Sequence, residues 1–169
     1  MSEPAVGSKP QEAKPQDFRP QQAKPRYFED FVVGAVYEFG EITVTAPEII
    51  AFARQFDPQV MHTDPEAAAR GPTNGLIASG WHTIGLMMRM YAAHYLPENG
   101  LPAPGVDEVR WYHPVRPGDT LRMRVTIQET RVSRSKPDRG IIRPLAEVLN
   151  QHGAVVLSLR PINLVRRRP

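Results

Sequence analysis

The stretch from Phe56 to Pro65 reads FDPQVMHTDP and sets Asp57 and His62 five residues apart. A carboxylate and an imidazole at that separation can share acid/base work, because one is a natural proton acceptor and the other changes charge near neutral pH. Two other chemistries use the same residue types. Asp57-Pro58 is a common helix-ending turn, and His62-x-Asp64 together with His82 offers side chains that ligate metals. No metal is expected, since the spacing matches no zinc motif and Asp64 is better placed to cap a segment opening Pro65-Glu66-Ala67. Ser79 sits in A-S-G-W. It lacks the G-x-S-x-G elbow of a serine nucleophile, which leaves it a donor or packing role.

The pair depends on the elements that carry it. Residues 35 to 44, AVYEFGEITV, are rich in β-branched and aromatic residues and predict a strand. Thr45 then opens T-A-P-E, in which its hydroxyl caps a helix while Glu48 reaches back. Ile49, Phe52, Ala53 and Phe56 recur at helical spacing, so the helix runs to about Gln55 and delivers Asp57 at its C-terminal end. A second helix begins near Gly80 and continues through Ile84, Met87, Met88, Tyr91 and Leu96. Being apolar on most of its circumference, it is predicted to be a core helix, with its methionines filling gaps.

Beyond Pro97 the pattern changes to strands, near 106–114, 121–128, 140–149 and 154–164, with a tight turn at Pro117-Gly118. The order predicts an α+β fold, an antiparallel meander wrapped around one long helix. A sheet with an open edge predicts a homodimer, formed by continuing the sheet or by packing helix on helix.

Composition narrows the functions. The 169 residues, 41% of them hydrophobic, suit one domain with a real core. The absence of cysteine removes disulfides, thiolate metal sites and cysteine nucleophiles together. Of the net charge of +3, the first 26 residues hold +2, five basic side chains against three acidic ones. The body is near neutral and shows no basic stripe with interleaved aromatics, so nucleic acid is not an expected partner. Within residues 8 to 28 the units KPQEA, KPQDF, RPQQA and KPRYF repeat, and proline at that density predicts a disordered tail over 1–26. The folded body is expected over 27–165, followed by a solvated basic end at 166–169.

The N-terminus is polar where a secretory signal needs an apolar region, so a cytoplasmic location is expected. The apolar stretch from Leu76 to Leu96 contains Ser79, Gly80, His82, Arg89 and His94, which argues against a membrane span.

With these residues in place, the chain from about Tyr27 to Val165 resembles the MaoC-like dehydratases of the hotdog superfamily, which includes (R)-specific enoyl-CoA hydratases. The family pattern G-D-x-N-P-x-H-x-D lies over Phe56 to Asp64, with Ala67, Ala68 and Ala69 beyond. Ile77-Ala78-Ser79-Gly80-Trp81 fills the place where the family sets a glycine at the start of its long helix. Pro114-Val115-Arg116-Pro117-Gly118-Asp119-Thr120 is similar to the family's P-V-x-x-G-D-T turn. Phe56 replaces the usual glycine, Gln59 the asparagine and Val60 the proline, which implies a different loop backbone and a bulkier wall.

The resemblance implies one hotdog unit and reversible hydration of a 2-enoyl thioester. In it Asp57 and His62 would share the acid/base work, with the backbone N–H of Gly80 facing the thioester oxygen. Phe56, Gln59, Ser79, Trp81 and His82 would line the substrate, although core packing is equally open for His82. No metal or redox cofactor is implied, since CoA arrives as part of an acyl-CoA substrate. Arg116, Arg122 and Arg143 are candidates for its phosphates. Two alternatives stay open: a hotdog thioesterase, and a non-catalytic acyl-thioester-binding accessory subunit.

Overall fold

The computed structural model describes residues 26–98 and 100–169. The expected tail, apart from Arg26, lies outside the described residues. After a 3-10 turn at Phe28–Asp30 come β1 (Val36–Thr43), α1 (Ala46–Phe56), α2 (Val60–Thr63), α3 (Pro65–Arg70) and α4 (Gly80–His94). The chain continues with β2 (Val106–Trp111), β3 (Thr120–Val132), β4 (Arg139–Leu149), β5 (Val155–Pro161) and β6 (Asn163–Arg166).

Local chemistry sets these boundaries. Thr45 accepts from the Glu48 N–H and the Glu48 carboxylate reaches back to the Thr45 N–H, so α1 opens on a capping box. Asp64 accepts from Glu66 and Ala67 and caps α3. In β3, Leu121, Met123, Val125 and Ile127 are each buried, while Arg122 and Arg124 reach across the wet face to Glu41 and Glu38 of β1. The dry face meets Leu86, Met87, Met90 and Tyr91 of α4 in one core. This is the expected α+β arrangement, an antiparallel sheet around a long helix.

Three expectations are corrected. The meander holds only for β3, β4 and β5, because the strand order is β1-β3-β4-β5-β2, with β6 pairing β4. The Pro117-Gly118 turn forms, but Gly118 N–H and Val44 O, and Val44 N–H and Asp119 O, bond at 2.8 Å. The turn therefore fastens β3 to the end of β1, and β2 is free to cross to the far edge beside β5. The single strand expected over 154–164 is two. Pro161 has no N–H to continue a ladder, and the Ile162 N–H turns to Gly105 O at 3.0 Å, after which β6 pairs the opposite half of β4. Finally, α4 is not buried all round, since Trp81 and Met88 are 62% and 44% exposed.

Candidate active site

Asp57 is the C-cap of α1. Pro58 ends that helix, and Gln59 starts the single turn of α2, a turn absent from the sequence-based expectation. The turn folds His62 back toward Asp57, with His62 Nε2 3.5 Å from Asp57 Oδ2. His62 is only 4% exposed. Its Nδ1 lies 2.8 Å from Ile77 O, and because a carbonyl only accepts, Nδ1 carries the proton. A neutral imidazole thus turns a lone pair toward Asp57, and a protonated one turns a second N–H.

The carboxylate is held from two more sides. Ser79 Oγ–H donates to Asp57 Oδ2 at 2.6 Å and Gln59 Nε2 donates to Oδ1 at 2.8 Å. These bonds, Ser79's first and Gln59's second, hold the Asp57 carboxyl below its usual range, with the nearby imidazole adding to them. Burial opposes the shift without reversing it. Asp57 is therefore a carboxylate at neutral pH.

Ser79 does a second job. Its Oγ accepts the Trp81 N–H at 3.2 Å, so it is the N-cap of α4. Gly80 is the first residue of that helix, and its N–H has no intrahelical acceptor. The partial positive end of the helix dipole lies at the same place. A Cβ on Gly80 would stand 2.6 Å from Trp111 Nε1, which itself donates to Gly80 O at 3.1 Å, so only glycine fits beneath that indole.

A cavity of about 420 Å³ joins these groups, lined by Asp57, His62, Gly80, Trp81, Trp111 and His113 among others. Gln59 also lines it. Ser79 is fully buried behind Asp57 rather than on the cavity wall. Phe56 is 64% exposed and packs on Phe52, with ring centroids 5.0 Å apart. His82 is turned away, buried and stacked on Phe52 at 4.8 Å, and does not line the cavity. Each residue of an α-helix is rotated about 100° from the last, so His82 leaves Gly80 and Thr83 on the cavity side and falls on the face toward α1.

Trp111, Tyr112 and His113 were missed by the sequence reading. They leave the end of β2 just before the Pro114-Val115 motif, and their approach to Gly80 depends on which edge β2 occupies. Of the phosphate candidates, Arg116 donates to Thr73 O, Arg122 to Glu41 and Arg143 to Asp107. None of the three lines the cavity. Among the described residues no three His, Cys, Asp or Glu are grouped to hold a metal ion.

A model of the MaoC like domain matches residues 30–144. The chain belongs to the MaoC-like family. A MaoC-like dehydratase from Rhodospirillum rubrum is 39% identical, and its structure superposes with a TM-score of 0.80 over 85% of this chain and 99% of that one. The uncharacterized protein YdeM of Bacillus subtilis is 28% identical over 82% of this chain and 98% of its own length. A 3-hydroxyacyl-thioester dehydratase Z of Mycobacterium tuberculosis is 36% identical over 48% of this chain, and the match spans 56% of that protein. The MaoC-like domain also shares its fold with part of a M. tuberculosis protein described as a double hotdog, at 17% identity and a TM-score of 0.70, covering 86% of this chain and 45% of that one. The fold is therefore a hotdog, as the motifs implied. No described helix is long and apolar enough to cross a membrane.

Proposed function

We propose that this MaoC-like domain is a hydro-lyase that reversibly adds water to the double bond of a 2-enoyl thioester, with CoA as the carrier. The observation that carries the reading is the convergence of Asp57 Oδ2 and His62 Nε2, 3.5 Å apart, on a cavity that Gly80 also lines. A water donating to both acceptors is activated as its oxygen bonds to C3, and its proton passes to the Asp57–His62 pair. The π electrons move toward C2 and the thioester oxygen, where the Gly80 N–H and the helix dipole stabilise the negative charge. The pair then returns a proton to C2. Proton and hydroxyl arrive from the same side, the thioester is intact, and no metal or redox step is involved.

The same reading includes a homodimer. Trp81 on α4 and Trp111 on the edge strand β2 are large exposed apolar groups on the wall of the cavity. Burying them against a second copy would exclude water from the reacting thioester. Sedimentation should give twice the chain mass.

The deciding assay follows loss of the conjugated thioester absorbance of trans-2-enoyl-CoAs, with free thiol measured on the same samples. Loss of conjugation without thiol release supports the hydro-lyase. Thiol release from saturated acyl-CoA points to a thioesterase, and binding without turnover to an accessory subunit.

A further inference from the structure

Residues 71–79, between α3 and α4, form no helix or strand, yet they carry two groups that hold the acid/base pair. Ile77 O accepts from His62 Nδ1 at 2.8 Å, and Ser79 Oγ donates to Asp57. Backbone bonds pin most of the segment. The Gly75 N–H bonds to Ala68 O at 3.0 Å, the Ile77 N–H to Met61 O at 3.1 Å and the Ala78 N–H to Val115 O at 2.8 Å.

The middle is held by a side chain. Arg116, the neighbour of Val115, donates from Nη2 to Thr73 O at 2.7 Å. Thr73 Oγ1 donates in turn to Gly75 O at 3.0 Å, across a turn in which Asn74 and Gly75 have φ of 49° and 126°. Val115 and Arg116 therefore grip the segment on either side of Ile77. A guanidinium bond is charge-assisted and about twice as strong as a neutral one. Arg116 is anchored in its own right, because its backbone N–H donates to Asp119 Oδ2 at 2.8 Å and Asp119 Oδ1 accepts from Gln151 Nε2 at 2.9 Å.

We propose that Arg116 is the positioning residue for His62: through Thr73 it fixes Ile77 O, and Ile77 O keeps the imidazole in the tautomer whose lone pair faces the reacting water. Its effect on turnover rests on the hydro-lyase reading. Two acceptors compete for the imidazole proton. Asp57 Oδ2, 3.5 Å from Nε2, draws it to that nitrogen, while Ile77 O holds it on Nδ1. The hydrogen bonds of the ring decide which nitrogen carries it. Without the guanidinium, the segment is free to carry Ile77 O away, and the Nε2–H then donates to the carboxylate. In that state Nε2 offers water no lone pair, and one acceptor of Asp57 is taken. Arg116 does not line the cavity, so its removal leaves the thioester site at Gly80 in place.

Ring nitrogen–proton correlation spectra of the isotopically labelled full chain read the tautomer directly. At about pH 8, above the ordinary imidazole range, the ring is neutral. The signals of His62 are those absent from His62→Gln, and the wild type is expected to carry the proton on Nδ1. Arg116→Met keeps an apolar stem without the guanidinium. It is expected to move a substantial share of His62 to the Nε2–H tautomer and to lower kcat about tenfold with KM within about twofold. Arg116→Lys retains a cationic donor for Thr73 O and is expected to restore the Nδ1–H tautomer and most of kcat. Should thermal melts show Arg116→Met unfolded, Gly75→Ala disturbs the same contact, since its Cβ would stand 3.3 Å from Arg116 Nη1 at a φ that favours glycine. The same tautomer shift is then expected. A wild-type proton on Nε2, or an unmoved tautomer in folded Arg116→Met or Gly75→Ala, overturns the proposal. The two readings fail separately. A tautomer shift in a chain that hydrates no enoyl-CoA keeps Arg116 as the positioning residue and removes the chemistry. Hydration with kcat and tautomer unchanged in Arg116→Met removes the positioning role and keeps the hydro-lyase.

Discussion

The Ser79 hydroxyl donates to Asp57 Oδ2 at 2.6 Å while its oxygen accepts the Trp81 N–H that opens α4. One side chain thus sets the charge state of the carboxylate and fixes the start of the helix whose N-terminus faces the cavity. Ser79→Ala should raise the Asp57 pKa toward its ordinary value and move the acid limb of the hydration profile to higher pH. Loss of the cap should also lower stability by about 1 kcal/mol. A pH–rate profile and a denaturant melt separate the two effects, and an unmoved acid limb would refute the link to Asp57.

Asp57→Asn should lower hydration by roughly 10² or more, the scale of general acid/base catalysis, with unchanged circular dichroism. It should also alter acid stability. Because the folded pKa of Asp57 is depressed, its stabilising contribution is present above the unfolded value and lost as pH falls through the folded one. The variant's melting temperature should therefore fall less steeply below about pH 4, the usual carboxylate range. Parallel melts of the two proteins across that range check the sign.

Gly80→Ala should be costly despite its single added methyl. The Cβ would meet Trp111 Nε1 at 2.6 Å and Cε2 at 2.7 Å, so the indole must move and its bond to Gly80 O must break. Overpacking of this kind typically costs about 1–3 kcal/mol, and displacement at the thioester site should cut kcat/KM by about tenfold or more. Tryptophan fluorescence should shift in step. Wild-type emission with wild-type turnover would show that the contact does not matter.

His82 predicts a pH effect from the other side of α4. Burial lowers its pKa below the ordinary 6.5, with Glu48 opposing the shift in part. The folded protein then refuses a proton that the unfolded chain accepts, so stability falls as pH drops below about 6.5. Its Nδ1 has no hydrogen-bond partner among the described residues, and its ring stacks on Phe52. His82→Phe keeps the stacking and should flatten the melting temperature between about pH 5 and 7. A slope equal to that of the wild type would assign the effect elsewhere.

What is local followed from the residues themselves. The capping residues Thr45 and Asp64, the alternation of Leu121, Met123, Val125 and Ile127, and the Asp57-x4-His62 spacing each act within a few residues, and each is found where the pattern puts it. Helix ends, a half-buried strand and the closeness of Asp57 to His62 were legible for that reason. What depends on distant partners came only with the fold. Pairing of the Pro117-Gly118 turn with Val44 sent β2 to the far edge, and only there does Trp111 cover Gly80 and His113 join the cavity wall. The break at Ile162 likewise depends on Gly105, far away in sequence. His82 shows the limit from inside one helix. Its neighbours face the cavity, yet the direction of its side chain was settled by which face of α4 the ring of Phe52 came to occupy. Hydrophobic period says which residues share a face, and long-range pairing chooses what that face meets.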